Sequence, residues 1–191
     1  MTEDTVITQS FPSALREEIA SLLKQFAFVA KYETSAFFEV IVDNETLTIP
    51  YRVYYDESVL SHLNGLTSMQ LDIIYCIYSR HANGFVRQKC ISAIIASKHS
   101  WTMPFIIRIT GEYVIEILEN IYSQMESIDS LNLRNFLLTN KAFYKVTKDR
   151  VASYWNYYYR MRYRQKDDFV GFKVLKYFDE IIMAGQKPPT V

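Results

Sequence analysis

One change of hydrophobic period constrains this chain more than any other feature. In "AFFEVIVDNETLTIPYRVYY", residues 36–55, apolar and polar side chains alternate, whereas the apolar positions on either side recur at spacings of three and four. Phe38, Val40 and Val42 share one face of the first half. Leu47, Ile49, Tyr51 and Val53 share one face of the second, and Asp43, Asn44 and Glu45 between them form a turn. The spacing predicts a β-hairpin over 36–55. Pro50 has no N–H to give to a ladder and marks an edge or a bulge. A two-stranded ribbon is marginal in water unless something covers it, so helices must supply the cover. The expected fold class is α+β, predominantly α-helical, with the hairpin near the N-terminus lying against a multi-helix bundle.

The helices can be read in order. Leu15, Ile19, Leu22, Leu23 and Phe26 repeat along one side of a predicted helix 13–26. Thr67 with Gln70 makes a capping box before "LDIIYCIY", with Leu71, Ile74, Tyr75 and Tyr78 expected inward. After the Asn83-Gly84 break, Val86, Cys90, Ala93 and Ile94 share a side. "PFIIRITGEYVIEILENIYSQM" is apolar around most of its circumference and is predicted as one helix in the middle of the bundle. Gly111 inside it implies a close neighbour. A short helix around 130–139 follows, then a longer region 140–164 with a possible interruption at Thr147. The last helix is expected over 170–183, closed by Gly185 and followed by a loose "KPPTV" tail. Together 57–183 make a helical bundle, and 1–191 is expected to be a single domain.

With 49% apolar and 22% charged residues, the chain can bury a core, and disorder is excluded. Two cysteines, Cys76 and Cys90, lie within apolar helical patterns and read as buried thiols, which with the absence of a signal pattern points to the cytoplasm. No apolar run reaches the length of about twenty residues that spans a bilayer, so no membrane partner is expected. The net charge of zero hides a gradient: ten acids and four bases in 1–60, six of each in 61–140, five acids and eleven bases in 141–191. Such an arrangement either closes on itself or offers two different faces to partners.

The unit "ANGFVRQKCISAII", residues 82–95, resembles the second helix of a HEAT repeat. Val86 and Arg87 match the pattern, Cys90 stands at the small-residue position and Ile94 continues the apolar side; no second copy occurs at a period of about forty residues. The resemblance implies stacked helical pairs. In overall make-up the chain also looks like the small bacterial immunity proteins that inhibit toxins, which would imply a toxin domain as partner.

Catalytic constellations are scarce. His62, His81 and His99 lie far apart, at helix ends or loops, with no metal-ligand spacing, so no metal is expected. Neither a phosphate-binding glycine loop nor a nucleophile elbow is present, so no cofactor is expected. Glu112, Glu116 and Glu119, with Arg108, fall on one stripe of the long central helix. They could share acid and base roles, but the solvated or ion-paired side of a helix explains them as well.

The remaining anomaly is "YWNYYYRMRYRQK", residues 154–166, with six aromatic rings and four basic side chains in thirteen residues. On one α-helix, Val151, Tyr154, Tyr158 and Met161 form a core stripe that Phe143 and Thr147 continue backwards. Trp155, Tyr159, Arg162 and Lys166 flank it, while Tyr157, Arg160 and Arg164 point outward. Part of the segment could pack against the glutamate stripe or the acidic N-terminal half. The surplus, taken as Trp155, Tyr157, Tyr159, Arg160, Arg162, Tyr163, Arg164 and Lys166, fits a protein partner, because Tyr, Trp and Arg dominate binding hot spots. It also fits RNA or single-stranded DNA, though a clear basic excess would then be expected. The expectation is a non-catalytic protein-binding module, in its most concrete form an immunity-type inhibitor of a toxin.

Overall fold

A computed structural model describes residues 2–184. The expected helix stop at Gly185 and the tail after it lie outside the described residues. The chain divides between Ile94 and Ile95 into two compact units. Nine α-helices and one antiparallel hairpin are present among the described residues, a predominantly helical α+β fold.

The first unit holds the hairpin. Strands β1 (Phe37–Val42) and β2 (Glu45–Pro50) pair with Phe38 opposite Ile49 and Val40 opposite Leu47. Asp43 and Asn44 both take positive φ, 50° and 66°, the mirror-image turn whose twist suits a two-residue hairpin loop. Phe38, Val40, Val42, Leu47 and Ile49 are all buried, as the alternation requires. Helices α1 (Glu3–Gln9) and α2 (Arg16–Gln25) precede the ribbon, and α1 packs on β2. The Glu45 carboxylate fastens the turn to the entrance of α2, accepting from Ser13 N at 2.8 Å and Ser13 Oγ at 3.0 Å. Helix α1 was not legible beforehand: two turns starting on acidic residues show too little periodicity.

Helices α3 (Ser68–Tyr78) and α4 (Gly84–Ile95) follow. The capping box forms as expected, with Thr67 Oγ1 accepting from Gln70 N and Gln70 Oε1 from Thr67 N. The inward face of α3 is carried by Ile73, Ile74, Cys76, Ile77 and Tyr78, while Leu71 and Tyr75 are only half-buried. His81, just past the end of α3, is buried beside Tyr78, its Nε2 donating to Tyr55 O and its Nδ1 accepting from Asn83 N.

The second unit contains α5 (Met103–Thr110), α6 (Ile115–Gln124), α7 (Ser130–Thr139), α8 (Lys141–Tyr154) and α9 (Val170–Ala184). The expected single helix through 104–125 is two helices, broken at residues 111–114. Every residue of α5 is buried, whereas α6 is amphipathic, burying Ile117, Leu118 and Ile121 and exposing Glu116 and Glu119. Summing two helices of different character produced the appearance of one apolar all round. The break falls at Gly111, where a Cβ would stand 3.3 Å from Arg150 Nε, and that same Nε donates to Gly111 O at 3.0 Å. The close neighbour is thus an arginine from α8. The suspected interruption at Thr147 does not occur; α8 runs through it with Thr147 buried.

Candidate functional site

Where α8 ends, the backbone widens into a π-helical turn, Trp155–Tyr159, before a short turn and the one-turn helix Lys166–Asp168 lead into α9. This turn decides which rings face in. A four-residue step on an α-helix overshoots a full turn by about 40°, so positions 151, 155, 159 and 163 would drift off any single face. A wider turn takes up the overshoot. Val151 and Trp155 are buried, and Tyr159 and Tyr163 are half-buried in line with them.

The inner rings are tied down. Trp155 Nε1 donates to Tyr163 O at 2.9 Å, and its ring meets Phe172 edge-on at 5.7 Å. Tyr159 stacks on the fully buried Phe169 at 5.1 Å, and its hydroxyl donates to Tyr113 O at 2.5 Å. Burial pushes the Tyr159 phenol upward, so it stays a donor at neutral pH. Arg150, besides its bond to Gly111 O, donates from Nη2 to Tyr154 Oη at 3.0 Å. Below this, Asp179 on α9 accepts from Tyr144 Oη at 2.9 Å and Lys148 Nζ at 3.1 Å, fastening α8 to α9.

The remaining side chains of the segment are exposed. Tyr157 is 80% exposed, Tyr158 56% and Met161 89%. Tyr157 and Tyr158 meet edge to face at 4.7 Å, and Tyr158 leans on Tyr113 at 6.0 Å and Tyr154 at 6.1 Å. Arg160, Arg162, Arg164 and Lys166 are all exposed around them. Two of these cations also roof the buried tryptophan, with Arg160 Cζ at 5.8 Å and Lys166 Nζ at 5.7 Å from its ring centre.

Of the residues expected on a partner surface, Tyr157, Arg160, Arg162, Arg164 and Lys166 lie outside, Tyr159 and Tyr163 are half-buried supports, and Trp155 is packed within. Tyr158 and Met161, assigned to the core by α-helical spacing, are exposed instead. Tyr113, counted with Ile109 and Ile117 on an apolar side of the expected single helix, lies instead in the break and is exposed. The π turn has no local signature in "WNYYY", where every position but one is aromatic.

The glutamate stripe does not exist as one surface. Glu112 lies in the break after α5 and is 1% exposed, whereas Glu116 and Glu119 are exposed on α6. Both cysteines are free and buried, and burial raises both thiols, that of Cys90 to about 12, which leaves them poor nucleophiles. Among the described residues, no group of three or more His, Cys, Asp or Glu is placed to hold a metal ion. Likewise no helix among them is long and apolar enough to cross a membrane. No known protein family matches this chain, and neither a curated protein nor a solved structure does.

Proposed function

We propose that this chain is a non-catalytic binding protein that grips another protein through Tyr157, Tyr158, Met161 and the surrounding arginines. The observation that carries the reading is the contrast between the exposure of those three side chains and the fixity of the rings beneath them. Leaving two phenol rings and a thioether in water forgoes burial worth roughly 1.5–3 kcal/mol for a side chain of Met size. A surface already held by Trp155, Tyr159 and Phe169 loses little conformational freedom on docking, which raises affinity for a given contact area. The chemistry it would meet is an apolar pocket bordered by carboxylates. The most concrete form of this function is an immunity-type inhibitor that neutralises a toxin by covering an acidic surface of it.

A protein fits better than RNA or single-stranded DNA. Met161 sits among the basic residues with no stacking role, and Asp167 and Asp168 follow Lys166 directly, where a phosphate backbone would need continuing positive charge. Affinity purification from host extract, with wild type beside Tyr157→Ala/Met161→Ala, tests the proposal. Support is one protein held by the wild type and reduced about tenfold or more by the double variant, the loss expected from two hot-spot side chains. Equal retention by both forms, or retention of nucleic acid alone with steep salt dependence, overturns it.

A further inference from the structure

A cleft of about 560 Å³ opens on the first unit, far in sequence from residues 154–166 and independent of the function proposed for them. Its floor is a short ladder of three chain segments: Lys31 N donates to Tyr54 O at 3.0 Å, and Ala82 N donates to Val53 O at 2.9 Å. Extended backbone alternates its side chains. Val53 and Tyr55 therefore go into the core, while Tyr54 and Asp56 are left to the cleft.

Two features of the lining define what it can hold. The first is aromatic: Tyr32, well exposed, meets Tyr54 at 5.5 Å with the rings 85° apart, so the pair forms a right-angled corner. The second is anionic. Asp56 accepts from Ser58 N at 2.7 Å and Glu57 Oε1 from Asn83 Nδ2 at 2.9 Å, bonds that orient the carboxylates without neutralising them. Hydrogen bonding from Ser58 holds the Asp56 carboxyl below the usual range, so it is ionised at neutral pH. Among the described residues, neither carboxylate has a lysine or arginine nitrogen within 4.0 Å. His81 Nδ1 comes within 3.9 Å of Glu57 but already accepts from the Asn83 N–H, and its Nε2 donates to Tyr55 O, so both ring nitrogens are engaged elsewhere. Lys31 is the single lysine or arginine among the described lining residues, and its ammonium stands 5.7 Å over the Tyr32 ring.

We propose that this cleft binds an organic cation, an alkylated ammonium or a guanidinium group, seated against Tyr32 and Tyr54 and facing Asp56 and Glu57. The Lys31 ammonium occupies the Tyr32 face in the free protein and is displaced. A primary ammonium is strongly hydrated, and a guanidinium less so. A cation that gives up its water more readily gains more from an aromatic face. An anion is repelled by the two carboxylates, and a purely apolar ligand gains nothing from them.

Amide NMR shifts of the full-length protein, titrated with choline, with a capped arginine amide and with the uncharged tert-butyl analogue of choline, test the site. The expected result is saturable shifts at residues 31, 54 and 83 with a Kd on the order of 1 mM for at least one cation, and binding about tenfold weaker or worse for the uncharged analogue. Which cation binds tighter separates a free ammonium ligand from the arginine side chain of a protein. Glu57→Gln weakens binding by about threefold or more, and Lys31→Met, which removes the competing charge, strengthens it. The uncharged analogue binding as well as choline would reduce the cleft to an apolar groove, and no shift with either cation would remove the site. A Lys31→Met variant that binds more weakly also overturns the displacement. The ligand comparison is made on the unmodified protein, so it stands even if a variant fails to fold.

Discussion

The hairpin at residues 37–50 and the aromatic turn at residues 155–159 are both rich in apolar side chains, but only in the first does spacing translate directly into burial. In the hairpin, each alternate residue from Phe38 to Val42 enters the core because strand geometry repeats every two residues without drift. At the end of α8 the backbone changes its own period, so Trp155 and Tyr159 turn inward while Tyr158 and Met161 turn out. A pattern is a reliable guide to burial only while the helix or strand keeps one geometry.

Mutations can break or sharpen this contrast. The largest effect is expected at Phe169, fully buried beneath Tyr159: Phe169→Ala should cost about 3–5 kcal/mol in denaturant unfolding. A value near zero would mean that the aromatic turn has no floor. Next comes Leu47→Ala in the hairpin, expected to cost about 2–5 kcal/mol because Leu47 is 1% exposed. If Leu47→Ala costs less than Ile41→Ala, on the outer face, the strand register is wrong.

Gly171→Ala comes third. A Cβ there would meet Phe169 Cε1 at 2.7 Å and Val151 Cγ1 at 2.8 Å, so overpacking of about 1–3 kcal/mol is expected. Tyr159→Phe removes only the hydroxyl bond to Tyr113 O and should cost about 1 kcal/mol. Tyr157→Ala stands at the other end of the scale, within about 0.5 kcal/mol in stability. Its effect should appear in partner retention alone, and a stability loss as large as that of Phe169→Ala would show the outer rings to be structural.

Much of the first unit was legible because its signals are local. The turn residues, the alternation of 38–42 and 47–49, and the box of Thr67 and Gln70 each depend on neighbours a few positions away, whereas Val53 beyond the strand is paired with His81. The second unit was legible by element but not by join. Residues 104–125 read as one helix because Gly111 is compatible with a helix interior at modest cost, and the arginine that occupies its open side comes from thirty-nine residues further on. The same long reach hid the contact of Tyr113 with the aromatic turn, its carbonyl receiving the Tyr159 hydroxyl across forty-six residues.

What the amino-acid order determined alone was the class of fold, the hairpin and its turn, most helices, and the concentration of rings and cations in 154–166. Tertiary structure decided which of those rings are supports and which are presented, split the glutamates between a buried break and an open helix face, and set Tyr32 beside Tyr54. The physical reason is range: propensity and periodicity act over a few residues, whereas the facing of a side chain at a π turn or a helix break is set by contacts with residues dozens of positions away.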